Sequence, residues 1–203
     1  MNPKYNYDIE QNSDEWFEIK LKKFSASICP ELLMDKSTKG YQGLINRIVE
    51  ERITGQRCEN ISFKGNWATE RGHELEPVAA DDYELRNLVV VKEVGVVILD
   101  DWILCSPDRL IGDDGLLQIK CPIFSTQKEY LEKKKIPTNY YKQMQFELFV
   151  TGRDYNVFNS FHPHLKALDI ILERDEEMIS RISERLEEAK QEVIEQINYI
   201  KNL

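Results

Sequence analysis

Asp108, Gln118 and Lys120 stand in the run SPDRLIGDDGLLQIKCP, Ser106 to Pro122. Side chains alternate across a strand, so Gln118 and Lys120 share one face while Leu117 and Ile119 point to the other. The GDDG turn at 112–115 folds the preceding segment back and brings Asp108 towards Gln118. An acid, an acceptor and a lysine at one strand end suit hydrolysis of a phosphodiester with a bound divalent cation. The cation offsets charge on the phosphoryl oxygens and acidifies a water, and Mg²⁺ prefers carboxylate oxygens while keeping several waters. A lysine beside it can position or deprotonate the attacking water, if its pKa falls well below the reference of about 10.4. Such a site normally has a second acid where this chain has Gln118. Taken alone, the P-D-x₉-Q-x-K pattern also arises from a surface turn followed by an amphipathic strand.

The elements that must position these groups are legible in outline. Residues 41–54 carry Leu44, Ile45, Ile48, Val49 and Ile53 at helical spacing, with Gly55 as a stop. A second helical stretch covers about 67–86, with Pro77 predicting a late start or a bend. Strands are predicted near 87–91, at 94–99 and at 102–111, then LLQIKC after the turn. Residues 138–151 form a helix with Tyr141, Met144 and Leu148 on one face and Tyr140, Gln143 and Glu147 on another. Two strands follow, DYNVFNSF and LKALDIIL, and a long helix from about 176 capped by Asp175. Its apolar stripe (Met178, Ile182, Leu186, Ala189, Val193, Ile197, Ile200) is a packing face. The order predicts a single domain over 1–203, a mixed α/β core with helical additions at both ends.

Composition bounds the rest. With 203 residues, 41% hydrophobic and 31% charged, the chain can bury a core of ordinary size. No apolar run approaches a membrane span, and the N-terminus lacks the basic and apolar regions of a signal peptide. The cysteines at 29, 58, 105 and 121 form no C-x-x-C pair, which points to a reduced, cytoplasmic protein. A net charge of −9 argues against a broad electrostatic hold on nucleic acid, although KLKK (Lys20–Lys23) and KKK (Lys133–Lys135) could line a channel. Cys105 and Cys121 read as buried small hydrophobes. Trp16, Trp67 and Trp102 read as core or half-buried anchors, with Trp16 also able to approach a DNA end. HPH at 162–164 reads as loop.

Four blocks together resemble the lambda exonuclease (YqaJ) family of phage recombination nucleases, within the PD-(D/E)XK superfamily. They are EWFEIKLKKFSAS, RGHELEPVAADDYE, SPDRLIGDDGLLQIKCP and YYKQMQFELFVTG, and ERDEE at 173–177 recurs in the matching place. The resemblance implies a restriction-endonuclease-like core, a central mixed sheet flanked by helices. It implies that Asp108, the residue at 118, the backbone carbonyl of Ile119 and Glu76 hold Mg²⁺, with Mn²⁺ as a substitute. Lys120 would orient the water, and Gln143 and Tyr140 would face the site. Lys20, Ser27 and Ser106 match positions that hold the 5′-phosphate of the digested strand. Lys20 replaces an arginine there and loses the bidentate fork. Arg109 replaces a glycine and either grips phosphate or crowds the site. Each of these residues alone has an ordinary reading: a solvated helix acid, a packed tyrosine, a capping serine. Their joint placement lifts them above it.

The implied activity is a Mg²⁺-dependent 5′→3′ exonuclease on linear double-stranded DNA that leaves 3′ single-stranded tails. A ring-shaped homotrimer, a single-strand annealing protein as partner, and action in the cytoplasm of a bacterial host are implied with it. Two other readings stay open: another PD-(D/E)XK endonuclease or repair nuclease, and a DNA-end-binding module without catalysis. Gln118 keeps the shape and one carbonyl acceptor of a glutamate but removes a unit of charge, which weakens the hold on a hard dication more than it alters geometry. The amide is either tolerated by a working enzyme, introduced to leave DNA uncut, or the mark of an inactive relative. Digestion of linear duplex in Mg²⁺ by this chain and by its Gln118→Glu form decides: robust activity of the former excludes silencing, and activity of the latter alone discards the tolerated amide.

Overall fold

A computed structural model describes residues 2–58 and 67–203, leaving out the side chains of 67–69. In chain order the elements are β1 (Lys4–Asn6), α1 (Asp14–Lys20), β2 (Phe24–Ser25), α2 (Cys29–Leu32), α3 (Lys39–Thr54), α4 (Trp67–Asn87), β3 (Val91–Lys92), β4 (Val96–Ile98) and β5 (Ile103–Cys105). Then come β6 (Arg109–Ile111), β7 (Gly115–Lys120), α5 (Phe124–Lys133), α6 (Thr138–Thr151), β8 (Tyr155–His162), β9 (Leu165–Glu173) and α7 (Glu176–Lys201).

The strands form two sheets, one ordered β1-β4-β5-β2 and the other β3-β6-β7-β8-β9. The second is the central mixed sheet expected from the sequence. In it β6 and β7 are an antiparallel hairpin, and β7 runs parallel to β8 across the connection made by α5 and α6. The hairpin turn needs Gly112, whose φ of +51° lies in the left-handed region. Gly115, opposite Tyr155, has no room for a Cβ, which would collide with the tyrosine ring.

Three sequence expectations are corrected. The strand predicted at 87–91 is mostly the end of α4 and a bend, because α4 continues to Asn87 and Leu88 takes a positive φ. The segment 102–111 is not one strand: it leaves the first sheet after Cys105 and enters the second at Arg109. The HPH run is only partly loop, since His162 ends β8 and is buried. Pro77 is accommodated inside α4. Helix α5 was not foreseen, and its packing explains why. Its one buried side chain is Gln127, which donates to the carbonyls of Ser160 at 3.0 Å and Lys166 at 2.9 Å and accepts from Ser160 Oγ at 2.5 Å.

Residues of β7 separate two apolar layers. Leu116 joins the larger cluster under α3, α6 and α7, whereas Leu117 and Ile119 pack with Ala79, Ala80 and Tyr83 of α4 and Val157 and Phe161 of β8. Asp175 caps α7 by accepting from Met178 N–H at 3.0 Å, and Ile182, Leu186, Ala189 and Val193 bury the predicted stripe. Cys29 and Cys105 are buried free thiols, Cys58 is buried and donates to Glu50 Oε2 at 2.9 Å, and Cys121 is only half-buried. Among the described residues no helix is long and apolar enough to cross a membrane. Because Leu117 is fully buried between sheet and α4, Leu117→Ala should destabilise the protein by about 2–5 kcal/mol in chemical denaturation.

Candidate active site

The hairpin register sets Arg109 against Leu117, which places Asp108 beside Gln118 at the open end of β6 and β7. Asp108 Oδ2 accepts the Ile119 N–H at 2.6 Å and the Gln118 amide N–H, and Lys120 Nζ lies 3.8 Å away. Gln118, on the face of β7 that α6 covers, accepts from Gln143 Nε2 at 2.8 Å. Tyr140, one turn earlier on α6, stacks on Phe158 with centroids 5.7 Å apart and offers its ring to Lys120 Nζ at 5.3 Å. Glu76 reaches in from α4. Together Glu76, Asp108, Ile119, Lys120 and Tyr140 line one cleft of about 530 Å³.

Arg109, expected to face DNA or crowd the site, is turned inward. Its guanidinium pairs with Glu76 at 2.8 Å and Glu93 at 3.0 Å and donates to the Asp108 carbonyl at 2.6 Å. Burial and the neighbouring Asp108 push the Glu76 carboxyl above its usual value, against the pull of Arg109. Burial alone would lower Lys120, but Asp108, Tyr140, Glu147 and Glu76 outweigh it and hold the ammonium above its usual value. With these charges around it, Lys120 is a cation that can orient and donate.

The donors at the cleft suit a hard divalent cation in kind, two carboxylates and a backbone carbonyl, with the Gln118 amide behind Asp108. Asp108 Oδ1 takes no hydrogen bond from any described residue. Among the described residues no three His, Cys, Asp or Glu side chains gather as a metal site, so Asp108 and Glu76 are the two acids this cleft offers a cation.

A second constellation adjoins the first. Trp16 is buried, and its indole N–H donates to Ser106 Oγ at 3.0 Å and to the Gly95 carbonyl at 3.1 Å. Lys20 Nζ lies 3.6 Å from the centre of the same ring. β2 pairs with β5 with Ser25 opposite Leu104, which carries Ser27 and Ser106 to the same end of the pair; Ser27 Oγ is 3.2 Å from Ser25 Oγ. Burial, then Arg47 and Arg57, push the Lys20 ammonium down to about 7. Arg57 stacks on Phe17, 4.2 Å from the ring centre, and Arg47 Nη2 is buried without a hydrogen-bond partner. None of these three cations pairs with a carboxylate of a described residue. Arg47 and Arg57 were not singled out in the sequence, since only the fold brings α3 and the segment after it to Lys20. By contrast, Lys133–Lys135 are an exposed helix end, and Trp67's side chain lies outside the described residues.

Glu147 is the other residue that sequence reasoning passed over. Burial and Asp108 push its carboxyl up to about 8.

A mixed sheet that delivers an acid, an acceptor and a lysine to one strand end, beside a glutamate from a helix, is the core of the PD-(D/E)XK nucleases. The chain belongs to the YqaJ-like viral recombinase domain family, whose profile matches residues 15–154, and this is a nuclease family. The crystal structure of an alkaline exonuclease, LHK-Exo from Laribacter hongkongensis, is 31% identical over 94% of this chain and 97% of that one, with a TM-score of 0.85. LHK-Exo in complex with dAMP matches at the same identity and coverage with a TM-score of 0.84. A phage related exonuclease from Haemophilus somnus 129PT, 16% identical over 88% of this chain and 96% of that one, shares the fold with a TM-score of 0.65. No curated protein sequence matches.

The raised Glu147 carboxyl makes stability depend on pH. Below its ordinary value of 4.5 the group is protonated in folded and unfolded chains alike; from there to about 8 only the unfolded chain gives up the proton. Thermal stability without added metal should carry a component that falls over that range and levels off above it. Glu147→Gln should remove this component, as pH-resolved melting curves will show.

Proposed function

We propose that the chain is a Mg²⁺-dependent exonuclease that digests one strand of linear duplex DNA from its 5′ end and leaves 3′ single-stranded tails. The observation that carries this reading is the close pairing of two unlike sites. An acidic cleft around Asp108 and Glu76 adjoins a cation cluster around Lys20, with Ser106 and Asp108 only two residues apart. The first suits a scissile phosphodiester and the second a terminal phosphate.

Asp108, Glu76 and the Ile119 carbonyl would hold Mg²⁺, or Mn²⁺ in its place, with the Gln118 side chain beside them. Bound there, the cation offsets charge on the phosphoryl oxygens and acidifies a water. Lys120, an ammonium 3.8 Å from Asp108, orients the water and donates to the phosphate. Gln143 holds the Gln118 amide, and Tyr140 walls the cleft behind Lys120. Arg109 keeps Glu76 in place. Lys20, Ser27 and Ser106, with Arg47 and Arg57 behind them, receive the 5′-phosphate. A homotrimer threading DNA, an annealing protein as partner and action in the cytoplasm of a phage-bearing bacterium belong to the same proposal and are supported by family membership.

Strand-resolved digestion of 5′-phosphorylated and 5′-hydroxyl linear duplexes in Mg²⁺, with closed circular DNA beside them, tests it. The expected outcome is loss of the 5′ strand, preference for the phosphorylated end and intact circles. Cut circles would mean an endonuclease, and end binding without cleavage a non-catalytic module. Lys20→Met should lower the preference about tenfold or more, as loss of a charge-assisted hydrogen bond of about 1.5–3 kcal/mol implies. Lys20 sits at about 7 without an anion, so phosphate binding above that pH takes up a proton. Preference for the phosphorylated end should therefore fall as pH rises from 7 towards 9.

A further inference from the structure

Glu147 is a carboxylate that the reading above leaves without a task. It lies one turn beyond Gln143 on α6 and is 1% exposed. Its Oε1 accepts from Gln143 Nε2 at 3.0 Å and its Oε2 from Asn156 Nδ2 at 2.8 Å. No lysine or arginine among the described residues forms an ion pair with it. A fully buried carboxyl with no ion pair is an unusual occupant of such a layer, and its helix neighbours Met144 and Leu148 show that apolar side chains fit there. The same Gln143 nitrogen also donates to Gln118 Oε1 at 2.8 Å. The isolated acid thus stands one amide behind the one position of the catalytic strand where an acid is missing.

We propose that Glu147 supplies from α6 the negative charge that Gln118 lacks, so that Gln118 and Glu147, joined by Gln143, together do the work of one strand glutamate. Gln118 contributes a neutral amide at that strand position, its nitrogen donating to Asp108 and its oxygen accepting from Gln143. Glu147 contributes the charge from behind it, in an interior where charge acts over several ångströms without contact. Glu147 is thus a positioning and charge-supplying residue that never touches the substrate, and the chain is a working nuclease with a divided ligand. The inference rests on the metal-dependent reading given above.

Calorimetric titration of Mn²⁺ into the full chain without DNA tests it, in the wild type and in the Asp108→Asn, Glu147→Gln and Gln118→Glu/Glu147→Gln forms. Glu147→Gln is close to isosteric. The new amide can accept from Gln143 and, if the Asn156 amide turns over, donate to Asn156 Oδ1, which is buried and has no partner. The expected result is Mn²⁺ binding that requires Asp108 and weakens about tenfold or more in Glu147→Gln without a lower melting temperature. The double exchange should recover it to within about threefold of wild type. Unchanged affinity in Glu147→Gln, while Asp108→Asn fails to bind, would overturn the inference and leave the nuclease reading standing. Weakened binding that the double exchange does not recover would also overturn it, by reducing Glu147 to a packing role. Binding that survives Asp108→Asn would defeat the metal reading and the inference together.

Discussion

One carboxylate oxygen ties this structure together. Asp108 Oδ2 accepts the backbone N–H of Ile119 and the side chain of Gln118, across the open end of the β6–β7 hairpin. A carboxylate holding a backbone amide of the next strand is rigid in a way that a side chain on a loop is not. That bond also fixes the path of the chain, because Asp108 is where the polypeptide has just left the first sheet and begins the second. The hairpin's Gly112 turn, its tight contact with Tyr155 and the packing of Leu117 under α4 all maintain the register that makes the bond.

Charge is distributed around this point in layers. At the cleft stand Asp108, Glu76 and Lys120. Behind them Arg109 bridges Glu76 and Glu93, and Gln143 joins Gln118 to Glu147. The molecule as a whole carries −9, yet Lys20, Arg47 and Arg57 collect beside Trp16 with no described acid against them. An acidic protein can therefore present a local site for an anion, and the overall charge says little about what its cleft receives.

The site strand, its turn and the facing helix were legible because each has a local signature. The alternation of Leu117, Gln118, Ile119 and Lys120 gives the two faces of β7, and the spacing of Tyr140, Gln143 and Glu147 gives one face of α6. What escaped depends on partners distant in sequence. Helix α5 docks through the buried amide of Gln127, flanked by Tyr130 on Phe158 and Phe124 on His162, so no run of buried aliphatic residues announces it. The break between β5 and β6 falls inside a run of strand-forming residues and shows only as Ser106–Pro107–Asp108. Arg109 looked like a phosphate contact because its acceptors, Glu76 and Glu93, come from a helix and a loop that only the fold brings together. Glu147 read as the polar edge of a helix until β8 placed Asn156 over it.

The passage from one sheet to the other has a mechanical consequence. Ser106, held by the Trp16 indole, and Asp108, held by Ile119, are separated by Pro107 alone, whose carbonyl takes a bond from Gln11 at 3.0 Å. Two residue steps of chain span at most about 7 Å, and proline removes one of the torsions that could alter that span. The two halves of the molecule are thus joined at this place by a covalent caliper. Shifts of one sheet against the other can tilt its jaws, but the gap between them is set by peptide geometry and not by packing.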